Sequence, residues 1–456
     1  MDVEVKKILV NTNEYANKLV KIKGWIRNNR SQKEFGFIDL NDGTAFESIQ
    51  IVYEDKVLDN FKEVAKYNVG SAISVEGKVV LTPKMKQPFE IKAEEIILEG
   101  NSLEDYPIQP KRHSREFLRE NAHFRSRTNL FNAVFRVRSV ISFAIHKFFQ
   151  ERNFIYLHSP LITANDAEGA GELFQVSTLD SEKPEKDFVN DFFGKKTNLS
   201  VTGQLQAEAF ALAFKKVYTF GPTFRAEKSN TTRHASEFWM IEPEVAFFDL
   251  QDNMDLAEEM VKYVIDEVFK NCQSELQFFN KFVEKGLIEK LKNVQNKTFI
   301  RITYKKALEI LTKHNDKFTI KAVDGNDLAT EHEKYLTKHY GGPVFVTDWP
   351  KNLKAFYMRL NDDKETVAAM DLLVPLAGEL IGGSQREERL DYLESRMRKM
   401  NVSDQDLWWY KDLRKYGGNK HSGYGLGLER MIMYVTGVDN IRDVIPFPRT
   451  PKHCEF

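Results

Sequence analysis

Glycine alternates with bulky apolar residues near the C-terminus, in the run GYGLGLERMIMYV at 423–435. Successive side chains of a strand point to opposite faces, so Gly423, Gly425 and Gly427 would leave one face of this strand bare. A flat base or sugar fits against such a backbone. The helix that follows places Arg430 near its N-terminus, where the helix dipole also favours a polyphosphate. Glycine spacing alone is weak evidence, but with the Glu-Arg pair it predicts a nucleotide site. This is not a Walker loop, because no Gly-Lys-Ser or Gly-Lys-Thr follows.

A second segment, 217–248, has two apolar runs around a polar loop at 228–236, which predicts a hairpin with a long tip. Arg225 and Glu227 are two residues apart and would share one face of a strand. An arginine in that position suits a phosphate or a carboxylate. The loop and the strand after it add charged side chains and an aromatic ring that suit a nucleoside triphosphate: Arg233, His234, Glu237 and Phe238. A salt-bridged antiparallel pair is the alternative interpretation of the Arg-x-Glu spacing alone.

A third segment, 366–386, places two carboxylates in the otherwise apolar run TVAAMDLLVPLAGELIGGSQR. Burying Asp371 and Glu379 is costly unless each is paired or binds a metal, and carboxylate oxygens suit magnesium held together with phosphates. Arg386 follows a glycine pair at 382–383, where a ligand can approach the backbone. The alternative is that the two carboxylates form buried ion pairs.

The first hundred residues contain short strands separated by turns such as Asn-Asp-Gly, which favours a small barrel. Five strands, with a helix predicted at 56–67 between them, fit the oligonucleotide-binding (OB) fold, although the same pattern describes a barrel without a ligand. We predict an α+β chain with an OB-fold β-barrel domain at 1–104, a linker at 105–125 and a second domain at 126–456. The second domain includes a helical region near 251–340.

Composition limits the classes of partner. The chain of 456 residues has a net charge of −1, so nucleic-acid binding must depend on local patches rather than on a globally basic surface. Its two cysteines, Cys272 and Cys454, lie far apart, which disfavours a disulfide framework and a cysteine zinc site. No signal-like apolar core opens the sequence and no uncharged apolar stretch reaches membrane-spanning length. We therefore expect a cytoplasmic protein with no membrane partner.

Taken in order, these segments resemble the signature motifs of the class II aminoacyl-tRNA synthetases. Motif 1 would be the helix up to residue 152 and the strand that ends at Pro160 in RNFIYLHSPLIT (152–163). Motif 2 would be 224–227 with 233–238, and motif 3 would be 425–430. The resemblance implies a catalytic domain with an antiparallel sheet flanked by helices, ATP as a substrate, Mg²⁺ as a cofactor and a homodimer formed through motif 1.

An N-terminal OB-fold narrows the resemblance to the subclass that charges aspartate, asparagine or lysine, in which the barrel binds the tRNA anticodon. Arg30, Phe37, Gln50 and Glu90 stand at positions that match those reading the central uridine of the anticodon in that subclass. The role implied for Phe37 is stacking on the base, a contact that contributes about 1–3 kcal/mol.

The amino acid implied by the resemblance is asparagine. In the subclass an arginine after a double glycine contacts the substrate side chain, and here this is Arg386; aspartate enzymes add a lysine at the position of Ala207. Losing that positive charge weakens the binding of a carboxylate, and Glu208 would accept from the substrate amide and repel aspartate. Glu168 and Gln204 would hold the substrate's ammonium group. The alternatives are an aspartate-specific enzyme, a tRNA-independent amide ligase and a non-catalytic RNA-binding relative.

The resemblance assigns the remaining roles residue by residue. Arg225 and Arg430 would be catalytic, and Asp371 and Glu379 would hold Mg²⁺. The residues implied to contact ATP are Arg225, Glu227, Arg233, His234, Phe238, Glu379, Gly427 and Arg430. Related aspartate enzymes carry a serine three residues after the glutamate that corresponds to Glu379, and here that position is Gly382. The implied reaction is ATP-dependent activation of asparagine, release of pyrophosphate and transfer of asparagine to the 3′-terminal adenosine of the asparagine tRNA.

Overall fold

The computed structural model describes residues 2–85, 87–165, 173–180, 187–229, 231–375, 377–403 and 405–456. The chain divides into two compact units, 1–133 and 134–456. Within the described ranges, no helix is both long enough and apolar enough to cross a membrane.

The first unit is built around five strands, β1 (Leu19–Ser31), β2 (Phe35–Asn41), β3 (Ile49–Glu54), β4 (Ala72–Leu81) and β5 (Phe89–Gly100). They close into a barrel in the order β1-β2-β3-β5-β4, which confirms the predicted five-stranded barrel. Alternate residues of each strand point inward. Every strand contributes a branched aliphatic side chain that is at most 1% exposed: Ile22, Ile38, Ile51, Val75 and Ile91.

The helices of the first unit are short: α1 (Val5–Val10), α2 (Thr12–Tyr15), α3 (Phe61–Val64), α4 (Arg115–Glu120) and α5 (Ala122–Arg125). The helix predicted at 56–67 is reduced to α3, in which Phe61 and Val64 are buried, because the residues before it form turns. Residues 115–125 of the segment predicted as a linker form α4 and α5. The side chain of Ser114 caps α4 by accepting from the backbone N–H of Phe117 at 3.1 Å.

The second unit carries eleven strands among its described residues. They are β6 (Ile155–Tyr156), β7 (Ile162–Thr163), β8 (Gln175–Val176), β9 (Thr197–Leu199), β10 (Lys216–Phe224), β11 (Glu237–Ala246), β12 (Ile300–Thr303), β13 (Val344–Pro350), β14 (Thr366–Val374), β15 (Gly378–Gln385) and β16 (His421–Gly427). Eight of them form one sheet in the order β12-β13-β14-β15-β16-β11-β10-β6. The six central strands are antiparallel, as predicted, and only the two edge pairs are parallel.

Helices flank this sheet: α6 (Asn129–Glu151), α7 (Gln204–Phe214), α8 (Leu250–Asn271), α9 (Gln273–Phe282), α10 (Leu287–Asn296), α11 (Tyr304–Thr312), α12 (Thr330–Tyr340), α13 (Leu390–Lys399), α14 (Trp408–Lys415) and α15 (Leu428–Thr436). The region near 251–340 is mainly helical, with β12 as an edge strand. The fully buried residues of α8 follow helical spacing, for example Ala257, Val261, Val264 and Val268.

The strand order brings the three chemically informative segments together. β14, β15, β16, β11 and β10 are consecutive neighbours in the sheet, although they come from distant parts of the sequence. In the register, Asp371 lies opposite Gly382, and Gly423 lies between Ser384 on one side and Glu244 on the other. The centre of the sheet therefore carries the polar side chains that the sequence places in apolar strands.

Candidate active site

The three segments line one cavity of about 360 Å³ on the sheet of the second unit. The predicted residues that line it are Gln204, Arg225, Glu227, Arg233, His234, Phe238, Asp371, Glu379, Arg386, Gly427 and Arg430. Glu208 does not line it, and Glu168 lies outside the described residues. A single cavity therefore holds a set of cations, carboxylates and aromatic rings that fits a nucleoside triphosphate and an amino acid.

The hairpin of β10 and β11 forms one side of the cavity, and its tip is the predicted loop. Arg225 follows β10 directly, and its backbone N–H donates to the oxygen of Ser236 at 3.0 Å. Its guanidinium lies 5.4 Å from the centre of the Phe238 ring, so a cation and an aromatic face stand side by side. In the loop, Nε2 of His234 lies 3.9 Å from Oε2 of Glu227.

The glycines of β16 leave room for neighbouring side chains. A Cβ at Gly423 would lie 2.2 Å from the carboxylate of Glu244, and one at Gly425 would lie 2.6 Å from the methyl group of Met240. Any side chain there would displace them. The bare face predicted for this strand is therefore present, and part of it, at Gly425 and Gly427, lines the cavity.

The two predicted metal ligands are each paired with a cation. Asp371 Oδ2 lies 2.5 Å from Nζ of Lys354, and Glu379 Oε2 lies 3.0 Å from Nη1 of Arg430. Burial, with Glu379 close by, raises the pKa of Asp371 to about 6 although Lys354 opposes the shift. Burial also acts to raise the pKa of Glu379, but the charges of Arg430 and Lys354 outweigh it and lower that pKa. Asp371 and Glu379 therefore do form the ion pairs of the alternative interpretation, and both pairs face the cavity.

Asp371 and Glu379 are placed so that both could bind the same magnesium ion. A Cβ at Gly382 would lie 3.0 Å from Oε1 of Glu379 and 3.5 Å from Oδ1 of Asp371, so both carboxylates converge on the space beside this glycine. Oxygen donors beside a phosphate-sized cavity suit Mg²⁺. No group of three histidine, cysteine, aspartate or glutamate side chains in the described part of the chain has the geometry of a metal site. Phosphate oxygens would therefore complete the coordination.

Arg386 occupies the floor of the cavity and is 2% exposed. Its Nε donates to Glu244 Oε2 at 3.2 Å, its Nη2 makes a short contact with Glu244 Oε1, and its Nη1 donates to Ser384 Oγ at 2.9 Å. Burial raises the pKa of Glu244, while the contact with Arg386 acts against that shift. A fixed, paired guanidinium therefore presents its remaining N–H groups to a ligand.

Glu208 lies behind the cavity rather than in it. It is fully buried, and its oxygens accept from Gln204, Tyr410, Arg414 and His421 at 2.8–3.0 Å. Burial alone would raise the pKa of Glu208, but Arg414, His421 and Arg386 hold it well below its usual range. The direct contact with a substrate amide predicted for Glu208 is not available from this position. Glu208 instead orients Gln204, and its Oε1 lies 4.0 Å from Nε of Arg386.

Ala207 also points away from the cavity. It is fully buried and packs with Ala211 and Val217 in a small apolar cluster. Gln204 begins α7 and is held in place twice: its backbone N–H donates to Thr202 Oγ1 at 3.1 Å, and its side chain donates to Glu208.

Sequence reasoning missed several polar groups of the site. Glu242 accepts from the backbone N–H of Gly203 at 2.8 Å and from Thr219 Oγ1 at 2.9 Å, and it lines the cavity. Glu242 and Glu244 are two residues apart among apolar residues of one strand. The same pattern identified Asp371, so the sequence could have identified these two glutamates as well. Lys354 stands in an irregular segment and carries no comparable signal.

The four residues predicted to read an anticodon lie together on the outside of the barrel. Arg30 is the register partner of Phe37 on neighbouring strands, and Gln50 donates to Glu90 Oε2 at 3.3 Å. Phe37 also contacts Phe35 edge-to-face with 5.5 Å between ring centres. The barrel therefore presents a half-buried aromatic ring flanked by groups that can donate and accept hydrogen bonds, as base recognition requires.

Comparisons with known proteins match both units. A family model described as tRNA synthetases class II (D, K and N) matches residues 114–451, and an OB-fold nucleic acid binding domain matches residues 20–99. The asparagine–tRNA ligases of Clostridium acetobutylicum and Acholeplasma laidlawii are each 61% identical to this chain, with 100% of both chains covered.

The chain is also similar to solved structures of asparaginyl-tRNA synthetases. Asparaginyl-tRNA synthetase from Pyrococcus horikoshii, complexed with asparaginyl-adenylate, is 31% identical with a TM-score of 0.89, and all of both chains is covered. Asparaginyl-tRNA synthetase from Entamoeba histolytica is 26% identical with a TM-score of 0.86 and covers 100% of this chain and 99% of its own.

Proposed function

The chain belongs to the asparagine–tRNA ligases among the class II tRNA synthetases, and from that premise we propose how its residues divide the reaction. The enzyme activates asparagine with ATP and transfers it to tRNA. The observation that carries our assignment of residues is that one cavity is lined by the segments 217–248, 366–386 and 423–435, which include motifs 2 and 3.

The ATP end is formed by motif 2 and motif 3. Phe238 stacks under adenine, and Glu227 lies near the adenine amino group. Arg233, His234 and Arg430 neutralise the outer phosphates, while Gly427 gives the ribose access to the backbone. The support is that all six residues line the cavity and that Arg430 stands at the start of α15, where the helix dipole favours phosphate.

Adenylate formation needs no protein nucleophile. The carboxylate of asparagine attacks the α-phosphorus of ATP in line and forms a new P–O bond. The bond from the α-phosphorus to the oxygen that bridges to the β-phosphate breaks, and pyrophosphate leaves with that oxygen and the electron pair. Arg225 binds both the attacking carboxylate and the α-phosphate. Its contribution is positioning and charge neutralisation, which are the main catalytic terms for phosphoryl chemistry.

Magnesium fits the ATP end. Asp371 and Glu379 would hold it, and it would supply charge neutralisation to the phosphate oxygens. Lys354 and Arg430 favour the ionised forms of these two carboxylates, since each cation lies within 3.0 Å of its partner.

The asparagine end selects an amide by charge balance. Gln204 binds the ammonium group, and Glu168 is proposed to act with it. Arg386 donates to the amide oxygen. Glu244 pairs with Arg386, and Glu208 lies 4.0 Å from its Nε, so the charge of the guanidinium is already compensated. A substrate carboxylate would add a further negative charge beside these two buried glutamates, whereas an amide adds none.

Transfer follows on the same face of the sheet. The 3′-hydroxyl of the terminal adenosine of the asparagine tRNA attacks the adenylate carbonyl, and AMP leaves. The anticodon binds the barrel through Arg30, Phe37, Gln50 and Glu90, with Phe37 stacked on the central base. The proximity of these four residues on neighbouring strands supports this role.

We also propose a cytoplasmic homodimer. The segment that resembles motif 1 leaves large apolar side chains uncovered, with Phe143 71%, Tyr156 50% and Ile155 47% exposed. Exposed apolar clusters of this kind favour burial against a second copy.

Charging of unmodified tRNA transcripts tests the proposed function. We expect asparagine to be esterified to the asparagine transcript, and to be esterified poorly to one whose central anticodon base is changed. Equal charging of both transcripts would refute the anticodon role of the barrel. Charging with aspartate would refute the proposed selection of the amide.

A further inference from the structure

A helix outside the three motifs reaches the phosphate end of the cavity. Glu333 lies on α12, in the helical region that resembles no catalytic motif, and its side chain is 13% exposed. Oε2 of Glu333 lies 3.5 Å from Nη1 of Arg233 and accepts from the backbone N–H of Glu379 at 3.3 Å. One carboxylate oxygen therefore contacts both a loop arginine and the backbone of a proposed metal ligand.

The start of α12 is fixed. The backbone N–H of Ala329 donates to Nδ1 of His332 at 3.0 Å, and Nε2 of that histidine donates to the oxygen of Ile320 at 2.8 Å. His332 is 1% exposed, so the turn that carries Glu333 is held on both sides. Thr330 on the same turn accepts from Nη1 of Arg233 at 3.4 Å.

Gly378 makes this arrangement possible. Its φ of +73° suits glycine, and a Cβ there would lie 2.2 Å from Oε2 of Glu333 and 3.1 Å from both terminal nitrogens of Arg233. The glycine that turns the chain from β14 into β15 therefore also opens the space in which Glu333 meets Arg233. Glu333 itself does not line the cavity.

From these contacts we infer that Glu333 is a positioning residue for the pyrophosphate end of the site. It holds the guanidinium of Arg233 where the outer phosphates of ATP arrive, and it fixes the backbone from which Glu379 reaches the cavity. The inference rests on the proposed function, because it assumes that this end of the cavity receives ATP and releases pyrophosphate. It gives the helical region a part in the reaction.

Kinetics of ATP–pyrophosphate exchange with the Glu333→Gln variant test the inference. This change keeps the size and the acceptor of the side chain but removes its charge. We expect KM for ATP and for pyrophosphate to rise about tenfold or more, as is common for groups that support a metal ligand from behind, with KM for asparagine unchanged. Glu331→Gln is the matched control: Glu331 is on the same helix, accepts from Thr319 and Ile320, and does not line the cavity.

Two further variants separate positioning from stability. Glu333→Asp keeps the charge on a shorter side chain and should recover part of the loss, whereas a purely structural role predicts no recovery. In the Arg233→Ala background, Glu333→Gln should add much less to KM for pyrophosphate than it does alone, because its partner is already gone.

The outcomes are decisive. Unchanged constants for ATP and pyrophosphate in Glu333→Gln, or an equal rise in KM for asparagine, would overturn the inference. If the unaltered protein shows no exchange with asparagine, the proposed function fails instead, and the two failures are therefore distinguishable.

Discussion

Arg430 holds Glu379 at two points: its Nη1 lies 3.0 Å from the carboxylate Oε2 and 3.0 Å from the backbone oxygen of the same residue. The arginine stands at the start of α15 and the glutamate in β15. The motif-3 arginine therefore holds the proposed metal ligand in place. A change in either side chain alters the charge next to the other.

Replacement of the motif-3 arginine should remove activation but spare tRNA binding. We expect Arg430→Ala to lower the rate of ATP–pyrophosphate exchange by about 10²-fold or more, because a preorganised charge at the reacting phosphates is lost. Binding of tRNA, measured by filter retention, should be nearly unchanged. Arg398→Ala, at an exposed position of α13, is the control. Normal exchange in Arg430→Ala would contradict the assignment of this end to ATP.

The barrel should matter only when tRNA is present. Phe37→Ala is expected to raise KM for tRNA, since the lost stacking is worth about 1–3 kcal/mol, and to leave ATP–pyrophosphate exchange intact. Phe282→Ala, which removes a phenylalanine that is 66% exposed in the other unit, is the control. Equal losses in exchange and in charging would mean that the barrel does not read the anticodon.

Amide selection should depend on the pairing of Arg386. Glu244→Gln leaves that guanidinium with less compensation, so a substrate carboxylate gains relative to an amide. We expect the ratio of kcat/KM for asparagine to that for aspartate to fall by about tenfold or more, which corresponds to about 1.4 kcal/mol. Pyrophosphate exchange with each amino acid measures it. A ratio equal to that of the unaltered enzyme would mean that the pairing of Arg386 does not select the amide.

One glycine of β16 should be irreplaceable for steric reasons. A methyl group at Gly423 would overlap the carboxylate of Glu244, so Gly423→Ala should displace the partner of Arg386 and cost about 1–3 kcal/mol of unfolding free energy. Gly221→Ala is the control, because no atom lies within 4 Å of a Cβ at that position. Equal thermal stability and equal asparagine KM in the two variants would argue against this contact.

The sequence predicted the barrel and the antiparallel centre of the sheet, because both depend on local patterns, and the same patterns identified side chains that the fold brings to one cavity. Alternating glycines, an Arg-x-Glu pair and carboxylates in apolar runs each mark a strand and a face. The asparagine end was predicted less well. Glu208 was assigned to the substrate, but it is buried behind the cavity, because Arg414 and His421, more than 200 residues away along the chain, occupy its oxygens.

Tertiary pairings of this kind leave no local signal. Lys354 belongs to an irregular segment and Glu333 to a helix, and neither sequence shows anything unusual. Only the tertiary fold brings Lys354 to the cavity and Glu333 into contact with Arg233. The helix predicted at 56–67 is too long for a related reason: the local sequence favours a helix, but the residues before Phe61 form turns, from which Leu58 packs into the barrel core.

The most direct test of the central claim is ATP–pyrophosphate exchange with the purified protein, measured in parallel with asparagine and with aspartate. The claim is that one cavity activates an amide substrate beside a charge-balanced arginine. It predicts Mg²⁺-dependent exchange with asparagine and little or none with aspartate at the same concentration. Comparable exchange with aspartate would contradict the account of selection, and absence of exchange with both would contradict the assignment of the cavity.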